Sequence, residues 1–516
     1  MPKRRHEDLA LPFGLQTVNF DTDMAVTQYT LPFMSFKGKL MSIKKIVIFC
    51  VICVAVLGSG IIIKIQFFPN NWAHKTTVDL KQIHKILIEN TPQYIDKYPP
   101  FMQWLDAGLK KSLLLAKKVK NPAGYYYCLS YYTHGFHNPH IMTSLIKLPH
   151  KFAGMLLGYK NNKFVVQHSD TSYQRLPPVS SVLISCGGVP TKTIVNKEII
   201  PYYYLSDLEA SYNRAASHIF FDANPFRHYY ATCTFQTKAG IKKYKIEWRN
   251  LSDTTETKIN KKIYVSYSFG MHQFGKNGLW ISIPTFEPNA SGRKFLNLII
   301  SSGATLRKFN PIVYDVRGNS GGNSKWANRL LNSLYGKNFV DAAILKNDKS
   351  WSQYRLSKLN IKQMKTFQPK QYMAYMTQNQ IQTAALYPSF SQYKKINKFS
   401  APKIDKNKLS PNFKGHIYLL TDNMCLSSCL NFADIIHWLP NTTQIGWPTE
   451  GDSPYIEGNW VQLSGGAKLM YNIKIERNRP RKTNQPYIPK YWYNGDISNT
   501  FAIQSWVENL FQNNKF

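Results

Sequence analysis

Two strand–turn–helix units constrain this chain more than anything else in it. Pro311 to Val316 and Ile417 to Leu420 are short, continuous apolar runs, the pattern of strands buried on both faces. Each run passes at once into a turn of small polar residues and then into a helical stretch. The first turn reads Asp315-Val316-Arg317-Gly318-Asn319-Ser320-Gly321-Gly322, and the second Thr421-Asp422-Asn423-Met424-Cys425-Leu426-Ser427-Ser428. A helix over Ser291–Leu306 feeds the first strand. That order of strand, helix and strand predicts a mostly parallel packed core.

The pair can build an acyl-transfer site. Ser427 stands at the mouth of a helix over Ser427–Leu439. A serine hydroxyl is a poor nucleophile until a base lies within hydrogen-bond reach. The first N–H groups of a helix lack internal partners and carry positive partial charge, so the Ser428 N–H can face a developing oxyanion. The rival reading of Ser-Ser before an apolar helix is an ordinary N-cap. Gly321 and Gly322 let backbone N–H groups approach a substrate oxygen with no side chain in the way. A tight turn or a phosphate cradle is their alternative, but the GK[ST] ending of a P-loop is missing. The candidate base is His140, closing Gly135-Phe136-His137-Asn138-Pro139-His140, with His134 and His137 as neighbours in reserve. Asp315 and Arg317 read as a structural ion pair.

At 516 residues the chain is too long for one core, and two or three domains are expected. Lys and Arg number 65 against 29 Asp and Glu, a net charge of +36. Either this charge is scattered over solvated faces or it draws the protein to an anionic surface. No basic–aromatic stripe or binding module points to nucleic acid. Ile46 to Ile63 is free of charge and, as a helix, spans about 27 Å, one hydrocarbon core. Lys37, Lys39, Lys44 and Lys45 precede it, so the expected topology is a cytoplasmic tail (1–43), an anchor (44–66) and an exported remainder. A cleaved signal peptide starting at Met41 is the competing expectation, and the protein would then be secreted. Cys50 and Cys53 fall in this segment. Cys128, Cys186, Cys233, Cys425 and Cys429 remain and cannot all pair with one another. Cys425 and Cys429 flank Ser427 at i and i+4 and read as small buried hydrophobes, with a regulatory disulfide as the alternative. No Cys/His metal spacing appears, and no metal or cofactor is implied.

Helical patterning is expected over 70–149, with Tyr125 to Tyr132 undecided between strand and buried helix. Short strands are expected over 150–205, including Phe164-Val165-Val166 and Val182 to Ser185. Further strands are expected at Thr232 to Phe235, Lys243 to Trp248, Ile263 to Tyr267 and Leu279 to Ile283. Residues 206–516 form the expected core, interrupted by a polar insertion at 337–412.

Together these motifs resemble the tail-specific, or C-terminal processing, serine proteases, in particular the branch with the tricorn core protease and retinoid-binding-protein-like members. Asp315 to Gly322 is similar to that family's D-x-R-G-N-x-G-G turn. Leu420 through Ser427 to Ala433 is similar to its nucleophile turn, and Gly135 to His140 to its histidine-bearing turn. Val182 to Pro190 resembles the close of a PDZ-like segment. The resemblance implies an α/β fold: a crotonase-like core of strand–strand–helix units, an N-terminal helical part and a small, degenerate PDZ-like strand-rich domain. It implies Ser427 as nucleophile and His140 as base, with Gly321, Gly322 and Ser428 as oxyanion donors. Two departures stand out. Asp452 occupies the position of the lysine in the family's Ser–Lys members, and no acid stands near Tyr487-Ile488-Pro489, where the tricorn branch has a late glutamate. Asp452 and Glu450 are then the candidates for orienting His140.

The expected function is a membrane-anchored serine peptidase acting on protein or peptide substrates on the periplasmic or extracellular side. Two alternatives are a catalytically inactive binding protein on the same scaffold and a crotonase-like acyl-thioester enzyme.

Overall fold

The computed structural model describes residues 71–144, 148–203, 208–263, 265–367, 390–392 and 409–514. The expected tail and anchor lie outside the described residues, and no described helix is long and apolar enough to cross a membrane.

Three helices lead: α1 (Trp72–Asn90), α2 (Pro99–Ala116) and α3 (Pro122–His134). Tyr125 to Tyr132 is therefore helical. Its start is written locally: the Asn121 side chain accepts from the Gly124 N–H at 2.8 Å, and Pro122 sits where no N–H is needed. The three helices share an apolar cluster with a hairpin made of Tyr455–Gln462 and Lys468–Arg477. Buried Asp79 fixes the hairpin tip, accepting from the Tyr125 hydroxyl and from the Ser464 and Gly465 N–H groups at 3.1 and 2.9 Å. Part of the expected insertion joins this cluster: strand Trp351–Arg355 pairs with Lys468–Arg477, and Leu356, Ile361 and Met364 are buried in it. The segments 368–389 and 393–408 lie outside the described residues.

The middle part is an antiparallel sheet in the order β1 (Met155–Lys160), β2 (Lys163–Ser169), β3 (Val182–Cys186), β4 (Thr232–Thr237), β5 (Gly240–Lys245). Helix α4 (Glu209–His218) packs on β1. One apolar cluster runs from Ala153 to Ile246, so this part extends past the expected boundary at 205. Cys186 and Cys233 face each other across β3 and β4 and form a disulfide. Residues 253–263 are helical rather than leading into a strand, because Ile259 and Ile263 fall four residues apart on one apolar face.

The core sheet runs β6 (Gly270–Phe274), β7 (Gly278–Ser282), β8 (Ile312–Asp315), β9 (Ile417–Thr421), β10 (Thr442–Gly446), β11 (Tyr491–Trp492). Only the β6–β7 pair is antiparallel. Side chains alternate between its faces. Ile312, Tyr314, Ile417 and Leu419 pack against α5 (Ala290–Ser301), α6 (Lys325–Tyr335) and α7 (Ser428–Trp438). Val313, Tyr418 and Leu420 face α8 (Thr500–Asn514) through Ile503 and Val507. Both faces are covered, as continuous apolar runs require. The turns after β8 and β9 consequently emerge side by side at the carboxyl ends of neighbouring parallel strands, the usual position of a site in such sheets.

Candidate active site

Ser427 is half-buried at the start of α7 with φ 55° and ψ −118°, a backbone region that suits glycine and strains a residue with a Cβ. A sharp turn between strand and helix with a serine at its apex presents the hydroxyl outward, as in nucleophile elbows. The surrounding contacts hold that shape. Cys425 and Cys429 are both fully buried, as their sequence reading has it. They are also bonded to each other across Ser427, so the disulfide reading replaces that of two separate thiols. The Cys425 carbonyl accepts from the Glu450 N–H at 3.1 Å, and the Leu426 N–H donates to the Asn319 carbonyl at 3.3 Å.

The glycine turn lies directly against this elbow. A Cβ on Gly321 would come within 2.9 Å of both the Ser427 Cβ and the Ser428 nitrogen, and one on Gly322 within 2.3 Å of the Phe286 carbonyl carbon. Their φ values of 106° and 128° add to the requirement for glycine. The Ser428 Oγ donates to the Gly322 carbonyl at 2.5 Å and accepts from Ser324 at 2.9 Å, stitching the two turns together. Gly321 differs from its expected role. Its N–H donates to the Asn319 Oδ1 at 2.9 Å, which leaves the N–H groups of Gly322 and Ser428 as the oxyanion candidates.

Sequence reading missed two buttresses. The Asn319 Nδ2 donates to the Ile283 carbonyl at 2.9 Å. Asp422 takes the Gly318 N–H at 2.9 Å on one oxygen and the Met424 N–H at 3.0 Å on the other, joining both turns through a single side chain. Burial pushes its pKa up to about 6 against the lowering effect of those donors and Arg317. An acid directly after a strand and before a turn was the available signal. Asp315 and Arg317 do form a buried ion pair, with Arg317 also donating to the Ile497 carbonyl at 2.6 Å.

His140 is buried and its Nδ1 has no hydrogen-bond partner. Burial depresses its pKa, Arg479 and Lys474 add to the depression, and Asp452 is the strongest opposing influence. Among the described residues no hydrogen bond joins His140 to Ser427, which stands 287 positions further along the chain (427 − 140). Asn431, one turn into α7, accepts from the Arg481 guanidinium at 3.2 Å, and the same guanidinium donates to Asp452 at 2.7 Å. His134 bonds back to the Ser130 carbonyl at 2.9 Å, and burial lowers its pKa to about 4. His137 is exposed with φ 49°.

Among the described residues no hydrogen bond joins either candidate orienting acid to His140. Glu450 pairs with Arg214 of α4, and Asp452 pairs with Arg479 and Arg481. Arg481 also holds Asp434 at 2.8 Å, and Asp434 takes the Tyr487 hydroxyl. Where the resemblance leads one to look for a late acid, the chain has a tyrosine that donates to an acid on α7. Among the described residues no cluster of His, Cys, Asp and Glu could hold a metal ion.

No protein-family model matches the sequence, and no curated protein does. Solved structures do. Mature CPAF matches at 12% identity over 85% of this chain and 96% of its own, with a TM-score of 0.52. Mature CPAF complexed with lactacystin matches at 12% identity over 85% and 97%, with a TM-score of 0.53. At that identity the likeness establishes the fold alone. The photosystem II D1 C-terminal processing protease covers 83% of this chain at 9% identity with a TM-score of 0.35, too low to carry an argument. The chain thus shares its fold with mature CPAF.

Proposed function

We propose that the chain is a serine peptidase cleaving protein or peptide substrates outside the cytoplasm, tethered to a membrane through residues 46–63. The observation that carries this reading is the Ser427 elbow, held in a glycine-type conformation against the Gly321–Gly322 turn. In the reaction, the Ser427 Oγ attacks the peptide carbonyl carbon while His140 takes its proton. The carbonyl oxygen becomes an oxyanion facing the N–H groups of Gly322 and Ser428, and each such donor is typically worth about 2.7–4 kcal/mol. Collapse of the tetrahedral adduct breaks the C–N bond, and His140 returns the proton to the leaving amine. Catalytic hydrogen bonds are often long before substrate binds, so the unpaired Nδ1 of His140 suits a base that engages only in the complex. The PDZ-like and crotonase-like descriptions of the two sheets belong to this same reading.

The test is labelling of the intact protein with a fluorophosphonate. Wild type should be modified at Ser427 and Ser427→Ala should not. Absence of labelling in wild type favours the second reading, an inactive binding protein, which the pairing of Glu450 and Asp452 with arginines supports. The thioester alternative predicts turnover of an acyl-thioester in preference to a peptide, and a side-by-side assay separates them.

A base works only when deprotonated, and the His140 pKa lies below its ordinary 6.5. The midpoint of the acid limb of kcat/KM is therefore expected below pH 6.5. An acid limb above 6.5 would remove His140 as the base.

A further inference from the structure

A cleft of about 960 Å³ separates the middle sheet from the core and runs to the two catalytic turns. Its walls are the edge strand β1 and helix α4 on one side and residues 422–424, Trp447 and 492–498 on the other, with Lys261, Lys262, Ile263, Val265 and Tyr267 completing the lining. Gly318 and Met424 bring it to both turns. Its lining includes the exposed apolar side chains of Val179, Val265 and Trp492, with Met424 and Trp447 half-buried.

Its mouth is positively charged. Lys160, Lys261 and Lys262 are exposed, and no carboxylate forms an ion pair with any of them among the described residues. The Lys160 Nζ donates to the Asn494 carbonyl at 2.6 Å, and the Lys262 Nζ to the His168 imidazole at 2.7 Å, so both ammonium groups meet neutral acceptors. The acids of the cleft, Asp422 and Asp496, offset them only in part, and Asp170 acts on Lys262 from nearby. Asp422 is buried with both oxygens occupied by backbone N–H groups, and Asp496 is taken up by Ser498. Three exposed lysines against two carboxylates of the lining leave an excess of positive charge, which attracts an anionic, partly apolar chain and repels a basic one.

We propose that this cleft seats the polypeptide on one side of Ser427 and selects segments carrying Asp or Glu among apolar residues, with Lys160, Lys261 and Lys262 as the specificity-determining cations. The proposal rests on the peptidase reading for its biological meaning, but binding can be measured without turnover. It also assigns a task to part of the +36 net charge.

The experiment uses full-length Ser427→Ala and three fluorescein-labelled peptides on one apolar scaffold, with Asp/Glu, Asn/Gln or Lys/Arg at alternate positions. Anisotropy at low salt should give a Kd at least about tenfold lower for the acidic than for the basic peptide, and the gap should close as salt screens it. Adding Lys160→Glu, Lys261→Glu and Lys262→Glu should reverse the order. These side chains are exposed, so folding should survive; should the triple variant melt early, Lys261→Glu alone should still narrow the gap. Equal affinities, a preference for the basic peptide, or no binding of any peptide would overturn the proposal. A parallel cleavage assay with wild type separates the two readings. Acidic peptides bound but never cut would end the peptidase reading and leave the cleft's selectivity standing. Peptides cut without regard to charge would do the reverse.

Discussion

Replacing Ser427 by glycine is expected to stabilise the protein while removing its activity. The two effects share one cause. Ser427 sits at φ 55° and ψ −118°, where a Cβ is crowded by its own backbone. Such a conformation costs about 1–3 kcal/mol in a residue other than glycine. Glycine relieves it and gives back roughly 0.5–1 kcal/mol through the greater freedom of the unfolded chain. The balance is a gain of about 1 kcal/mol, read as a higher midpoint in denaturant. In the proposed mechanism, loss of the Ser427 hydroxyl lowers kcat by about 10⁴-fold or more. Ser427→Ala is the control, because it deletes the hydroxyl and keeps the strain. It should be as inactive as the glycine variant and no more stable than wild type. Equal stability of the two variants would mean that the elbow is not strained, and turnover surviving in either would remove Ser427 from the chemistry.

How much of this was legible in the sequence follows from how local each determinant is. The parallel core was legible because Ile312 to Asp315 and Ile417 to Thr421 are buried on both faces, and only continuous apolar runs satisfy that. The glycines at 321 and 322 were legible because small residues after such strands have few other uses, and the elbow serine followed from its place before α7. What failed to show depends on contacts distant in sequence. Arg479 and Arg481 lie in the run Arg477-Asn478-Arg479-Pro480-Arg481, and no local pattern there announces that both guanidiniums are buried against Asp452 and Asp434. The Cys186–Cys233 bond needs the register between β3 and β4, and no spacing rule supplies that. The middle part was cut short at 205 because α4 and two strands return to it from further along the chain. Which oxyanion N–H is available turned on the side-chain rotamer of Asn319, a detail outside the reach of any pattern.

Asp452→Asn is expected to destabilise the protein strongly while changing the chemistry only slightly, and this separates two roles for the same side chain. The Asp452 carboxylate takes Arg479 and, at 2.7 Å, Arg481, and all three groups are buried. An amide of the same shape removes the charge and keeps at most part of the hydrogen bonding, leaving two buried guanidiniums with Asp434 as their remaining anion in this cluster. Breaking a buried pair from one side costs about 3–5 kcal/mol. Asp452 is also the strongest influence raising the His140 pKa, against burial, Arg479 and Lys474, which lower it. Without Asp452 the imidazole becomes harder to protonate, so the acid limb of kcat/KM should move to still lower pH. The plateau near pH 8 should fall by less than about tenfold, since no hydrogen bond links Asp452 to His140 and its removal leaves the proton of the base where it was. An acid that orients the base behaves otherwise. Its amide variant holds the wrong tautomer and loses about 10⁴ in kcat. A loss of that size in a variant still folded at the assay temperature would mean that Asp452 leaves its arginines for His140 once substrate binds. The Arg479–Arg481 pair would then be the clasp that keeps the enzyme at rest.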